Sequence, residues 1–128
     1  MEKSIKAATD YETRAREAIK EAKMLLSQSF LDSTVSKSYY ACFYAVHARL
    51  AALGILAGTH KQTGIQLRRH FIKTKLMETK YSDIFRELAK WRLIADYTAL
   101  PPIDEKKAQE LVAMAEDFVT TLLQIKVD

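Results

Sequence analysis

Glycine and proline are nearly missing from this 128-residue chain, which holds three of the first and two of the second. A sandwich or barrel of short strands needs a turn about every 8–12 residues, so the elements here must be few and long. Cysteine occurs once, at Cys42, which excludes an intrachain disulfide and a cysteine-built zinc site and fits a reducing compartment. Long apolar runs are missing too. The opening MEKSIKAATDYETRAREAIK interrupts each apolar pair with charge, so it forms neither a signal-peptide core nor a membrane span, and a soluble, cytoplasmic protein without membrane contact is expected. Gly-rich phosphate loops, nucleophile elbows and His-Glu-x-x-His are all lacking. No Glu stands three residues before His47, His60 or His70, so the Glu-x-x-His pair of di-iron bundles is excluded, and the histidines are too scattered for a metal set on one helix. No metal and no cofactor are expected. Cys42, in an apolar, tyrosine-rich stretch without a neighbouring base, reads as inert packing.

What is present is 48% hydrophobic and 28% charged, enough for a core in a single domain spanning residues 1–128. The net charge of +4 permits contact with phosphates without demanding it. Ala8, Tyr11, Ala15, Ala18, Ala22, Leu25 and Leu26 recur at three and four, predicting an amphipathic first helix. SQSFLDS breaks that pattern, and Asp32 or Ser33 is placed to cap a second helix running to about Gly54. The second helix has two apolar stripes, Val35, Tyr39, Phe43, Val46, Leu50 and Leu53 beside Tyr40, Tyr44, Ala48 and Ala51, which predicts a central position. Thr59 and Gln62 have capping-box spacing and open a third helix through about Lys75. A fourth helix over roughly 81–97 stops before the prolines at 101 and 102, and Asp104 caps a fifth. Period-two alternation is nowhere sustained. The fold class is therefore all-α, an antiparallel up-and-down helical bundle of four main helices plus a shorter one.

Arg92 falls four after Leu88 and seven after Phe85, on the inward face of the fourth helix, where a permanent charge needs a partner. Asp96, one turn later, supplies one. The two form either a structural pair or a polar site in a groove that holds an anion. Tyr11, Tyr39, Tyr40 and Tyr44 read as core with hydroxyls to satisfy, or as stacking faces for a nucleobase. Between His60 and Lys80, six Lys or Arg face one acid, and Lys61, Arg68 and Lys75 are spaced by seven on one helical face. That basic face is either solvated or in contact with phosphates or an acidic partner.

SKSYYACFYAVHARL at 36–50, GTHKQTGIQLRRHFIKTKLM at 58–77 and WRLIADY at 91–97 together resemble the small stand-alone prokaryotic branch of the HEPN family (higher eukaryotes and prokaryotes nucleotide-binding). The resemblance implies a helical bundle that forms a homodimer, with the second and fourth helices lining a cleft. It places Arg92, Asp96, Tyr97, Tyr39 and Tyr40 at that cleft. It also implies a minimal nucleotidyltransferase chain as partner in a toxin–antitoxin-like module, with nucleotide or RNA as ligand. Many relatives are metal-independent ribonucleases with an Arg, four to six residues, then a His. Here those positions from Arg92 hold Tyr97, Thr98 and Ala99, so the motif lacks its imidazole. An ionised Asp cannot donate a proton and a Tyr rarely accepts one near neutral pH. A nucleotide- or RNA-associated binding subunit is therefore expected ahead of a ribonuclease with a departed site at Arg92, Asp96 and Tyr97. A purely structural helical adaptor is the third class.

Overall fold

The computed structural model describes residues 2–127. Among them are five α-helices and no strand: α1 (Glu2–Ser27), α2 (Leu31–Ala52), α3 (His60–Leu67), α4 (Lys80–Tyr97) and α5 (Glu105–Gln124). The antiparallel bundle has α2 at its centre, against α1, α4 and α5. Small residues make the closest of these contacts. Ala15, Ala18 and Ala22 on α1 and Ala41, Ala45 and Ala48 on α2 are all buried, so the two helices approach without large side chains between them. Larger side chains fill the rest, with Tyr39, Leu88, Leu111, Phe118 and Leu122 essentially inaccessible. Arg49 of α2 crosses to the end of α5 and donates to the carbonyls of Leu122 and Leu123, satisfying acceptors that a helix C-terminus leaves open.

The caps divide into those that follow sequence rules and those that do not. Thr59 accepts from the Gln62 amide at 3.0 Å and Asp104 from the Lys107 amide at 2.7 Å, as their spacing predicts. Asp32 and Ser33 do not cap α2. The chain reverses over Ser29, whose φ of 61° lets the Phe30 amide reach back to the Leu25 carbonyl at 3.0 Å, and α2 begins at Leu31 before either residue can act. The third helix is shorter than expected. Its α-helical part ends at Leu67 and passes into one π turn, Arg68–Ile72, after which Lys75 takes a φ of 65°. No helix among the described residues is long and apolar enough to cross a membrane.

Candidate functional site

Residues four apart on α2 share a face, and Tyr39, Phe43 and His47 project together toward the start of α3 and the end of α4. Phe43 lies between two imidazoles, its ring centroid 4.3 Å from that of His47 and 4.9 Å from that of His60. The capped start of α3 sets His60 beside Tyr39, with the phenol oxygen 2.7 Å from Nδ1. Burial pushes the Tyr39 phenol up to about 12 against the opposing charge of Arg92, so it stays protonated and can donate to His60. His47 Nε2 lies 3.0 Å from the Thr63 hydroxyl. That hydroxyl donates to the Thr59 carbonyl, so His47 carries its proton on Nε2. Both imidazoles bind protons more weakly than usual. Burial and then the Arg92 charge act on His60, and burial and then His60 act on His47.

Arg92 comes from α4 into this group and is only 8% exposed. Its guanidinium carbon sits 5.1 Å from the Tyr39 ring centroid and 5.7 Å from that of Tyr40. Asp96 approaches to 3.6 Å, longer than a charge-assisted hydrogen bond, and Nε finds no hydrogen-bond partner among the described residues. The pairing read from sequence exists, but it is loose and leaves the cation incompletely satisfied. Beside it opens a cleft of about 580 Å³ lined by Ser33, Ser36, Lys37, Tyr40, Tyr44 and Asp96.

Of the residues expected at the cleft, Arg92, Asp96, Tyr39 and Tyr40 come together, but only Tyr40 and Asp96 line the cavity, Arg92 and Tyr39 being buried beside it. Tyr97 is not part of the group. It is 76% exposed, because one step past Asp96 turns it about 100° around the helix onto an outer stripe with Leu93. Lys61, Arg68 and Lys75 do not form one helical face either. Lys61 and Arg68 keep their seven-residue spacing along α3, with Lys61 exposed and Arg68 half-buried, but the π turn that starts at Arg68 leaves Lys75 out of register, beyond the helix. Sequence reasoning missed His60 as a neighbour of Arg92. It looked for imidazole only downstream of the arginine, whereas the imidazole arrives from another helix. The Thr59 cap was the available sign, since it fixes where that helix begins. His47 was legible as the third member of the Tyr39, Phe43, His47 series. Among the described residues, no three His, Cys, Asp or Glu side chains converge as a metal-ligand set. Cys42 is fully buried, its thiol pushed up by desolvation, as inert packing requires.

Comparison with known proteins adds a family. The HEPN domain model matches residues 1–126. A UPF0332 protein of Thermotoga maritima is 31% identical over 85% of this chain and 83% of the relative. Another UPF0332 protein, from Gloeobacter violaceus, is 26% identical over 90% of this chain and 92% of the relative. A protein of Methanocaldococcus jannaschii named "Putative toxin" is 27% identical over 83% of this chain and 72% of its own.

Proposed function

Because the chain belongs to the HEPN domain family, we propose that it is a nucleotide- or RNA-associated binding subunit, a homodimer that pairs with a minimal nucleotidyltransferase in a toxin–antitoxin-like module. The observation that carries this is Arg92, a buried cation with an unpartnered Nε and a loose acid partner, held on two tyrosine faces. A guanidinium is a planar fork of donors matched to a phosphate, and an anion that reached it past Tyr40 and Asp96, which line the neighbouring cleft, would complete its coordination. The toxin name of the archaeal relative supports the module. The exposed stripe of Leu93 and Tyr97 on α4, with exposed Leu100 just past the helix, supports pairing with a second copy. Isothermal titration of nucleoside mono- and triphosphates and a short oligoribonucleotide tests the cleft. Binding to the wild type that is lost in Arg92→Ala is the expected result, and no binding by the wild type contradicts it.

His60 favours a second reading, an RNA endonuclease. With the His60 proton on Nδ1 and directed at the Tyr39 oxygen, the free Nε2 of a neutral imidazole could take the proton of a 2′-hydroxyl while Arg92 stabilises charge on the phosphate oxygens. Incubation with total RNA in the presence of EDTA separates the two. RNA left intact supports the binding subunit, whereas discrete fragments that disappear in both His60→Gln and Arg92→Ala establish the nuclease.

A further inference from the structure

From Lys61 to Lys80 no Lys or Arg forms an ion pair among the described residues, whereas eight cations elsewhere in the chain do, so the charge of this segment is unspent within the fold. Arg69, Lys73, Lys75 and Lys80 are exposed on and around the turn that leads into α4. That turn is closed on itself. The Met77 amide donates to the Phe71 carbonyl at 2.8 Å and the Lys75 amide to the Ile72 carbonyl at 3.0 Å, with Met77 and Phe71 buried beneath. The four cations are thus held together where α4 begins, about 18 Å along that helix from Arg92. Leu76 is 52% exposed among them. Glu78 is the one acid of the segment, and nearby acids are engaged, Asp83 by Arg86 and Asp117 by the hydroxyls of Tyr81 and Thr121. Lys75 holds a φ of 65° where glycine would sit without strain, so the fold alone gives no reason for a lysine there.

We propose that residues 69–80 form a docking surface for an acidic polypeptide segment of another protein, whose carboxylates meet Arg69, Lys73, Lys75 and Lys80 around an apolar side chain set on Leu76. An apolar contact ringed by charge is the anatomy of a protein interface, in which the charges govern on-rate and choice of partner. Single-stranded RNA fits less well. It binds where bases stack on exposed rings, and the rings of this turn, Phe71 and Tyr81, are buried. One exposed leucine also offers too little apolar surface to enter a bilayer. Because the turn is already closed by its own hydrogen bonds, it gives up little freedom on binding. The surface does not depend on how Arg92 is used.

Fluorescence anisotropy of a labelled Glu-Leu-Glu-Glu repeat peptide tests the surface, with a single-stranded oligoribonucleotide of equal charge and phosphatidylserine vesicles as competitors. The wild type should bind the peptide more tightly than either competitor, and Lys73→Glu, Lys75→Glu and Lys80→Glu together should weaken it at least roughly tenfold. Lys3→Glu, Lys20→Glu and Lys106→Glu, an equal change of net charge at exposed positions elsewhere, should leave peptide affinity within roughly twofold of wild type. Lys75→Gly should also weaken the peptide while melting no lower than the wild type, which separates lost binding from lost fold. Equal weakening by the two triple variants would reduce the contact to net charge and overturn the proposal. Tighter binding of RNA or vesicles than of peptide through Lys73, Lys75 and Lys80, or no binding of any probe, would overturn it as well.

Discussion

A guanidinium taken out of water needs charge, hydrogen bonds or a polarisable face, and Arg92 obtains the last from Tyr39 and Tyr40 while the first remains loose. The need for a partner was legible from the helical spacing of Phe85, Leu88 and Arg92. The tyrosine faces were not, because they come from α2 and depend on how α2 and α4 cross. Tyr39 also orients His60. Tyr39→Phe should lower stability by about 1 kcal/mol through loss of that hydrogen bond, measurable by urea denaturation, with an effect below about 0.3 kcal/mol indicating that the contact is idle. The two histidines predict a pH dependence. Both bind protons less well in the fold than at their ordinary 6.5, so the unfolded chain takes up more protons as pH falls below that value. Their contribution is fully present above about pH 6.5 and is lost as pH falls through the lower folded values. The melting temperature should drop between pH 7.5 and 5.5, and the drop should shrink in His47→Gln. An unchanged drop in that variant would show that other groups govern the acid side.

Elements were readable from sequence where local chemistry decides them. Asp104 and Thr59 cap as their spacing requires, and α4 ends at Tyr97, ahead of the prolines. They were misread where the chain's path decides them. Ser29 adopts a left-handed conformation normally left to glycine, and α2 starts early as a result. The π turn after Leu67 holds Phe71, which is buried in the core, and draws Lys75 out of line with Lys61 and Arg68. Thermal unfolding of two variants should reproduce this division. Asp104→Ala removes a working cap at a cost of about 1 kcal/mol, whereas Ser33→Ala, which removes no cap, should stay within about 0.5 kcal/mol of wild type. Equal losses in both would mean that Ser33 caps in solution.

On the scale of the whole molecule, the two apolar stripes of α2 are mostly buried inside a single chain, with Tyr40 and Tyr44 partly open at the cleft. That central place was legible because few helices are apolar on two sides. The exposed apolar surface proposed for a second copy is on α4, at Leu93 and Tyr97, where the family resemblance had placed Tyr97 in the cleft. If the stripe pairs chains, sedimentation at micromolar concentration should show a dimer, and Leu93→Asp with Tyr97→Asp should give a folded 14.6 kDa monomer. A monomeric wild type, or a dimer indifferent to both changes, would place the contact elsewhere or remove it. Such a dimer would set each cleft close to the interface, since Asp96 and Tyr97 are adjacent on α4.

The central claim is that the charge of Arg92 serves a ligand and not the fold, and thermal melts of Arg92→Ala, Asp96→Ala and the double variant, with and without nucleotides or RNA, test it most directly. The account predicts melting temperatures close to wild type for Arg92→Ala and the double variant, and stabilisation by ligand in the wild type that vanishes once Arg92 is gone. A loss of about 3–5 kcal/mol in each single variant that the double variant recovers, with no ligand effect on the wild type, would contradict it and make Arg92–Asp96 a structural pair.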